Sequence, residues 1–159
     1  MAQISCGNQV KGVCVEINKL LQSVELFDGL TDDELGEVAA LCERRKLKDG
    51  EVLTKQGNVG KELFIISEGL VEVILHEQTE PRVVVNLGAG QLIGEMSLVD
   101  RGPRSATVVA IHDPTYVQVI QNDNFHKLCQ RNTQIGYRVM LNLAADLSFK
   151  LRHSNLNED

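Results

Sequence analysis

Residues 62–75 read ELFIISEGLVEVIL, two mostly apolar runs on either side of Glu68-Gly69. Each run is too short for a globular helix, and both carry the β-branched residues that suit a pleated surface. Gly69 supplies the positive φ that a tight turn demands. The stretch therefore predicts two strands joined as a hairpin at Glu68-Gly69.

The same pattern extends outward from it. From Arg45 to Gln121, short Val-, Ile- and Leu-rich segments alternate with glycines at 50, 57, 60, 69, 88, 90, 94 and 102. VVVNL (83–87), QLIG (91–94), SATVVAI (105–111) and TYVQVI (115–120) read as further strands, with QTEP (78–81) among the turns. Short strands with turn signals at this spacing predict an all-β body of about eight strands, a jelly roll or small barrel.

On either side the period becomes helical. EINKLLQSVELF (16–27) has apolar residues at 17, 20, 21, 24 and 27, and Asp28-Gly29 ends the pattern. Thr31-Asp32-Asp33-Glu34 is a capping box, so a second helix runs from there to about Cys42. After Asn122, Phe125, Leu128 and Cys129 mark a short helix. Apolar positions 135, 139, 140, 143, 147 and 151 then draw a stripe on a longer one, from Thr133 to about Arg152. That stripe either covers the barrel or meets its own copy in a homodimer. The expected organisation is a partly helical N-terminal extension (1–25), one mainly β domain with N-terminal helices and a C-terminal helical pair (26–152), and a polar tail (153–159).

Composition excludes several classes. The 159 residues are 43% hydrophobic and 24% charged, enough for a core without metals or disulfides. A net charge of −6 argues against a nucleic-acid footprint or an anionic membrane surface. ERRKLK (43–48) is the one basic run, and it reads as a solvated strand with Leu47 turned inward. The absence of a membrane-length apolar run and of a leader pattern points to the cytoplasm. Cys6, Cys14, Cys42 and Cys129 include no C-x-x-C pair and read as reduced thiols, ahead of an iron–sulfur or redox sensor.

Residues 94–110, GEMSLVDRGPRSATVVA, are too polar for a buried strand and too consistent in type for a structureless loop. Arg104 offers a planar, permanently charged fork suited to a phosphate, and Pro103 fixes the backbone before it. GEMSLVD suits a short helical turn whose first amides, from Met96 and its neighbours, face an anion. Ser105 and Ala106 are small enough for backbone and hydroxyl to approach the same oxygens. Glu95 would repel a phosphate, and is better used accepting from a ribose hydroxyl. Singly, each residue has a bland use as ion pair or turn; together, between two strands, they describe a cyclic nucleotide site.

These residues resemble the phosphate-binding segment of the cyclic nucleotide-binding domain family, whose pattern runs loosely F-G-E-x-A/S-L, a gap, then P-R-A/S/T-A-T-V. The similarity extends over residues 26–152 and takes in VLTKQGN, IISEGLVEVIL and NLGAGQLIGEMSL. It implies a β jelly roll with flanking helices. It also implies that Arg104 pairs with the cyclic phosphate, that Glu95 binds the ribose 2′-hydroxyl, and that Gly94, Met96, Ser97, Ser105 and Ala106 supply amides or hydroxyls. Ser105 directly after the Arg is similar to cyclic AMP binders, with cyclic GMP as the alternative. Asn58 and Ile93 depart from the family's usual Asp and Phe, and Lys150 to Arg152 lie where a base-capping residue is expected.

The leading expectation is a cyclic nucleotide sensor, free of metal and catalysis, that signals to a protein partner through its C-terminal helices. Its alternatives are a non-binding assembly module of the same fold and an effector domain cut from a larger transcription regulator. No helix-turn-helix follows residue 152, so DNA binding by this chain is not expected. His76, His112, His126 and His153 lack the spacing of a cupin metal site, and GEMSL is not a nucleophile elbow.

Overall fold

The computed structural model describes residues 16–154. Cys6, Cys14, the irregular start at 1–15 and the end of the polar tail lie outside the described residues. The described residues form two compact units, residues 41–127 and residues 16–40 with 128–154.

The 41–127 unit is the β body. Its eight strands are β1 (Glu43–Leu47), β2 (Val52–Thr54), β3 (Glu62–Glu68), β4 (Leu70–His76), β5 (Pro81–Gly88), β6 (Leu92–Ile93), β7 (Thr107–Ala110) and β8 (Thr115–Gln121). They make two antiparallel four-stranded sheets, β1-β8-β3-β6 and β2-β7-β4-β5. This is the expected jelly roll with flanking helices. Leu47, Phe64, Ile66, Val71, Ile93, Val108, Ala110, Val117 and Val119 form its core. The basic run is β1, with four exposed residues and Leu47 only 3% exposed.

Glu68-Gly69 is a turn of a different kind from the expected hairpin. Gly69 has φ +91°, but β3 pairs with β6 and β8 while β4 pairs with β5 and β7, so the chain crosses here from one sheet to the other. Consecutive burial carries the reason. Leu63, Phe64, Ile65 and Ile66 are all buried, as in a strand covered on both pleats rather than one half of an exposed hairpin. A side chain at 69 would also lie 2.8 Å from the Thr115 backbone. The true hairpin is β4–β5, paired from Leu70↔Gly88 to His76↔Pro81 with a register shift between Val73 and Ile74, and closed through residues 77–80.

In the other unit, residues 16–22 form helix α1, which stops before the expected break at Asp28. The Ser23 hydroxyl donates to the Leu20 carbonyl at 2.6 Å, and a separate 3-10 turn follows at Glu25–Phe27. Local hydrogen bonding by Ser competes in this way with helix propagation. Helix α2 (Asp32–Ala39) has its capping box: Glu34 N donates to Thr31 Oγ1 at 3.2 Å and Thr31 N to Glu34 Oε1 at 3.0 Å. It ends three residues before the expected Cys42. Thr31→Ala should lower stability by about 1 kcal/mol and the midpoint by about 2–4 °C, readable by thermal denaturation.

The α3 turn (Ser97–Asp100) belongs to the β body, and α4 (Asn122–Arg131) leads to α5 (Thr133–Ser154). The α5 stripe is buried at Ile135, Val139 and Leu143 but not at its far end, where Leu151 is exposed. Asn142 Nδ2 donates to the carbonyls of Leu26 and Asp28 at 3.0 and 2.9 Å, tying α5 to the 3-10 turn.

Candidate functional site

The 94–110 segment leaves β6 at Gly94, makes α3, and enters β7 at Thr107. Gly94 has φ +88°, and its carbonyl accepts from Ser97 N at 3.2 Å and Ser97 Oγ at 2.7 Å. Leu98 N bonds to Glu95 O at 3.1 Å, and Asp100 N to Met96 O at 3.2 Å, so α3 is a tight single turn. Arg101 in the left-handed region (φ 51°) and an Asp100 bond to Gly102 N at 2.8 Å stop it.

Ser97 also holds the turn together. Its hydroxyl and amide both close on Gly94, the residue is only 5% exposed, and Asn122 Nδ2 donates to Ser97 Oγ at 2.9 Å. Ser97 is thus an internal anchor joining α3 to the first residue of α4. Among the described residues the Met96 amide and the Ser105 hydroxyl have no partner, and Met96 is 47% exposed. Ala106 brings its carbonyl to Thr54 Oγ1 at 3.4 Å.

Arg104 is held from both sides. Its amide donates to Asn58 O at 2.7 Å, and its carbonyl accepts from Gly57 N at 2.9 Å. An isolated bridge between Val59 and Pro103 continues the clamp. The guanidinium turns inward, with Nη2 donating to the Glu62 carbonyl at 2.6 Å and Cζ 5.5 Å from the Phe64 ring centroid. Gly60 and Gly94 make this position available. A Cβ at 60 would stand 2.7 Å from Arg104 Nε and Cζ, and one at 94 would collide with Nη1.

Nη1 is buried and, among the described residues, has no hydrogen-bond partner. Burial draws the Arg104 pKa below that of an ordinary arginine, while the carboxylates of Glu62 and Glu95 raise it again. The group stays charged at physiological pH. A buried, charged donor without an acceptor is costly, and an anion reaching Nη1 removes that cost. Glu95 stands close enough to act on Arg104 through its charge, so the expected phosphate and sugar ends of the segment are electrostatically coupled.

Sequence reasoning reaches Gly94, Glu95, Met96, Ser97, Arg104, Ser105 and Ala106, all on the segment between β6 and β7. It missed Gly57, Asn58, Gly60 and Glu62, which hold or clear space for Arg104, and Asn122. In the sequence QGNVGKE (56–62) shows only glycine spacing, and Asn122 gives no signal. Burial pushes the Cys42 thiol up to about 12 and raises that of Cys129, which disfavours the thiolate at both. Among the described residues no group of three metal-ligating side chains forms and no helix is long and apolar enough to cross a membrane.

Comparison with known proteins follows the same segment. The family profile described as "Cyclic nucleotide-binding domain" matches residues 44–132, more than half the chain. The "Cyclic AMP receptor protein" of Thermus thermophilus is 33% identical over 135 residues, covering 84% of this chain and 60% of that protein. The solved cyclic nucleotide-binding domain from Methylobacillus flagellatus aligns with a TM-score of 0.77 at 28% identity, covering 90% of this chain and 80% of that one. The regulatory domain of Toxoplasma gondii PKA, solved with cAMP, aligns at 0.75 and 26%, covering 89% and 52%. The chain thus spans less than two thirds of the receptor protein's length. With the fold, the segment and the profile in agreement, the chain belongs to the cyclic nucleotide-binding domain family.

Proposed function

We propose that residues 26–152 form a regulatory module that binds cyclic AMP and signals through its C-terminal helices. The observation that carries this reading is the buried, unpartnered Nη1 of Arg104, a charged donor lacking only its anion. The cyclic phosphate accepts from it and from the Met96 amide, with Ser105 and Ala106 completing the shell and Glu95 taking the ribose hydroxyl. Gly94 serves by its conformation and by the space it leaves. Ser97 serves by building the turn.

The base has an apolar wall to lie on. Thr54↔Val108, Val108↔Val73 and Val73↔Val85 make one row across β2, β7, β4 and β5. The row runs from buried Val108 to Val85, which is 43% exposed. The names of the Thermus receptor protein and of the Toxoplasma complex favour cyclic AMP, as does Ser105.

A ligand shifts a conformational equilibrium only by its differential affinity for the two states. The Asn122–Ser97 bond supplies a route, because a displaced α3 pulls on the first residue of α4. Leu141, Phe149 and Leu151 are exposed along α5 and suit contact with a second copy or a protein partner. Since the chain spans 60% of the Thermus receptor's length, an effector domain of a longer regulator is the companion reading.

Parallel calorimetric titrations test the assignment. Cyclic AMP should bind at least about tenfold more tightly than cyclic GMP, a difference of about 1.4 kcal/mol. At a hundredfold excess over its dissociation constant it should add about 2.7 kcal/mol of stability. Equal affinities would remove the base preference. No heat with either nucleotide would leave the non-binding assembly module.

A further inference from the structure

A pocket of about 360 Å³ opens between β2, the 58–62 loop, β3 and the end of β8, and of the expected ligand-binding residues only Arg104 lines it. Its charge runs against that of the chain. Lys55, Lys61 and Arg104 all line it, in a protein of net charge −6, and Glu62 is the only carboxylate among its lining residues. That carboxylate is already engaged: Glu62 Oε1 accepts from Arg45 Nη2 at 3.1 Å and from Gln121 Nε2 at 2.9 Å. Lys55 and Lys61 have no ion pair among the described residues. The lining also includes Val59, which is 65% exposed and gives an apolar surface beside the cations.

We propose that this pocket is a second anion site, which takes a small phosphomonoester with its phosphate among Lys55, Lys61 and Arg104 and its organic body against Val59. The chemistry distinguishes it from the cyclic nucleotide segment. A cyclic phosphate is a diester with a single negative charge, which one guanidinium can match. A phosphomonoester carries close to two charges at neutral pH and has three terminal oxygens. Three cations flanking one pocket match that dianion, and lysines serve as point-charge phosphate binders. The volume lies at the small end of the range of small-molecule sites. Because Arg104 borders both sites, the two ligands are linked, and by reciprocity each alters the other's affinity by the same factor.

The test uses the full chain with phenyl phosphate as probe and benzenesulfonate, a monoanion with the same ring, as its control. In calorimetry at physiological salt, phenyl phosphate should bind at least about tenfold more tightly than benzenesulfonate, and the double variant Lys55→Glu/Lys61→Glu should lose at least about tenfold of that affinity. Both lysines are exposed, and an unchanged melting temperature of the ligand-free variant confirms that it folds. Cyclic AMP is titrated into the same proteins. If phenyl phosphate binds and cyclic AMP does not, the second site stands and the nucleotide assignment falls. The proposal is overturned if phenyl phosphate gives no heat, if the two probes bind alike, or if the double variant binds as the parent does.

Discussion

Arg104→Ala should weaken cyclic AMP binding by roughly two to three orders of magnitude, about 3–4 kcal/mol, while leaving the ligand-free fold within about 1 kcal/mol of the parent. The asymmetry follows from the state of the guanidinium. Without ligand it makes one hydrogen bond, from Nη2 to the Glu62 carbonyl, and leaves buried Nη1 unsatisfied. Truncation sacrifices that bond but also removes a desolvated charge, and the two terms oppose each other. With ligand, the phosphate loses its only guanidinium partner. Calorimetry and thermal denaturation of the same variant separate the terms. Binding at parental strength would remove Arg104 from the site, and a collapse of the ligand-free protein would make it a structural residue. Arg104→Lys is expected to fall between parent and Ala, because an ammonium keeps the charge and loses the fork.

The parts legible in the sequence were those whose cause is local. The capping box at Thr31 and Glu34 is a four-residue pattern and needs no tertiary partner. The strands announced themselves by short β-branched runs. What escaped were choices made by distant residues. Gly69 was read correctly as a positive-φ position, but whether the chain returns along itself or crosses to the other sheet depends on β8 and β6 competing for β3. Helix α1 was overextended because apolar spacing continues past Ser23, whose hydroxyl bond is invisible to periodicity. In the 94–110 segment, charge and size make Arg104 the expected partner of an anion. The means of holding it lie about forty residues earlier, in Gly57, Asn58, Gly60 and Glu62, where sequence shows only a glycine-rich loop. Ser97 was invisible in its second role, as the residue whose hydroxyl closes the turn on Gly94 and accepts from Asn122.

Gly94→Ala should be the most damaging single-methyl change in the segment, costing about 2–4 kcal/mol of stability and about 5–12 °C in midpoint, together with most of the nucleotide affinity. Two effects combine. An alanine at φ +88° is strained by about 1–2 kcal/mol, and its Cβ would also lie 3.0 Å from the Glu62 carbonyl and collide with Arg104 Nη1. The carbonyl belongs to β3 and cannot move cheaply, so the guanidinium must leave the place proposed for its contact with the phosphate. Gly102→Ala is the matched control: its φ is not left-handed and its Cβ meets only the flexible Asp100 carboxylate at 3.2 Å, which predicts a change within about 0.5 kcal/mol. A double-mutant cycle with Arg104→Ala apportions the two effects. If Gly94 exists to make room for Arg104, the cost of Gly94→Ala should shrink toward the backbone strain and the Glu62 carbonyl contact once the guanidinium is gone. Strict additivity of the two substitutions in thermal denaturation would show that Gly94 shapes the turn without regard to Arg104, and would break the link between that glycine and the proposed phosphate contact.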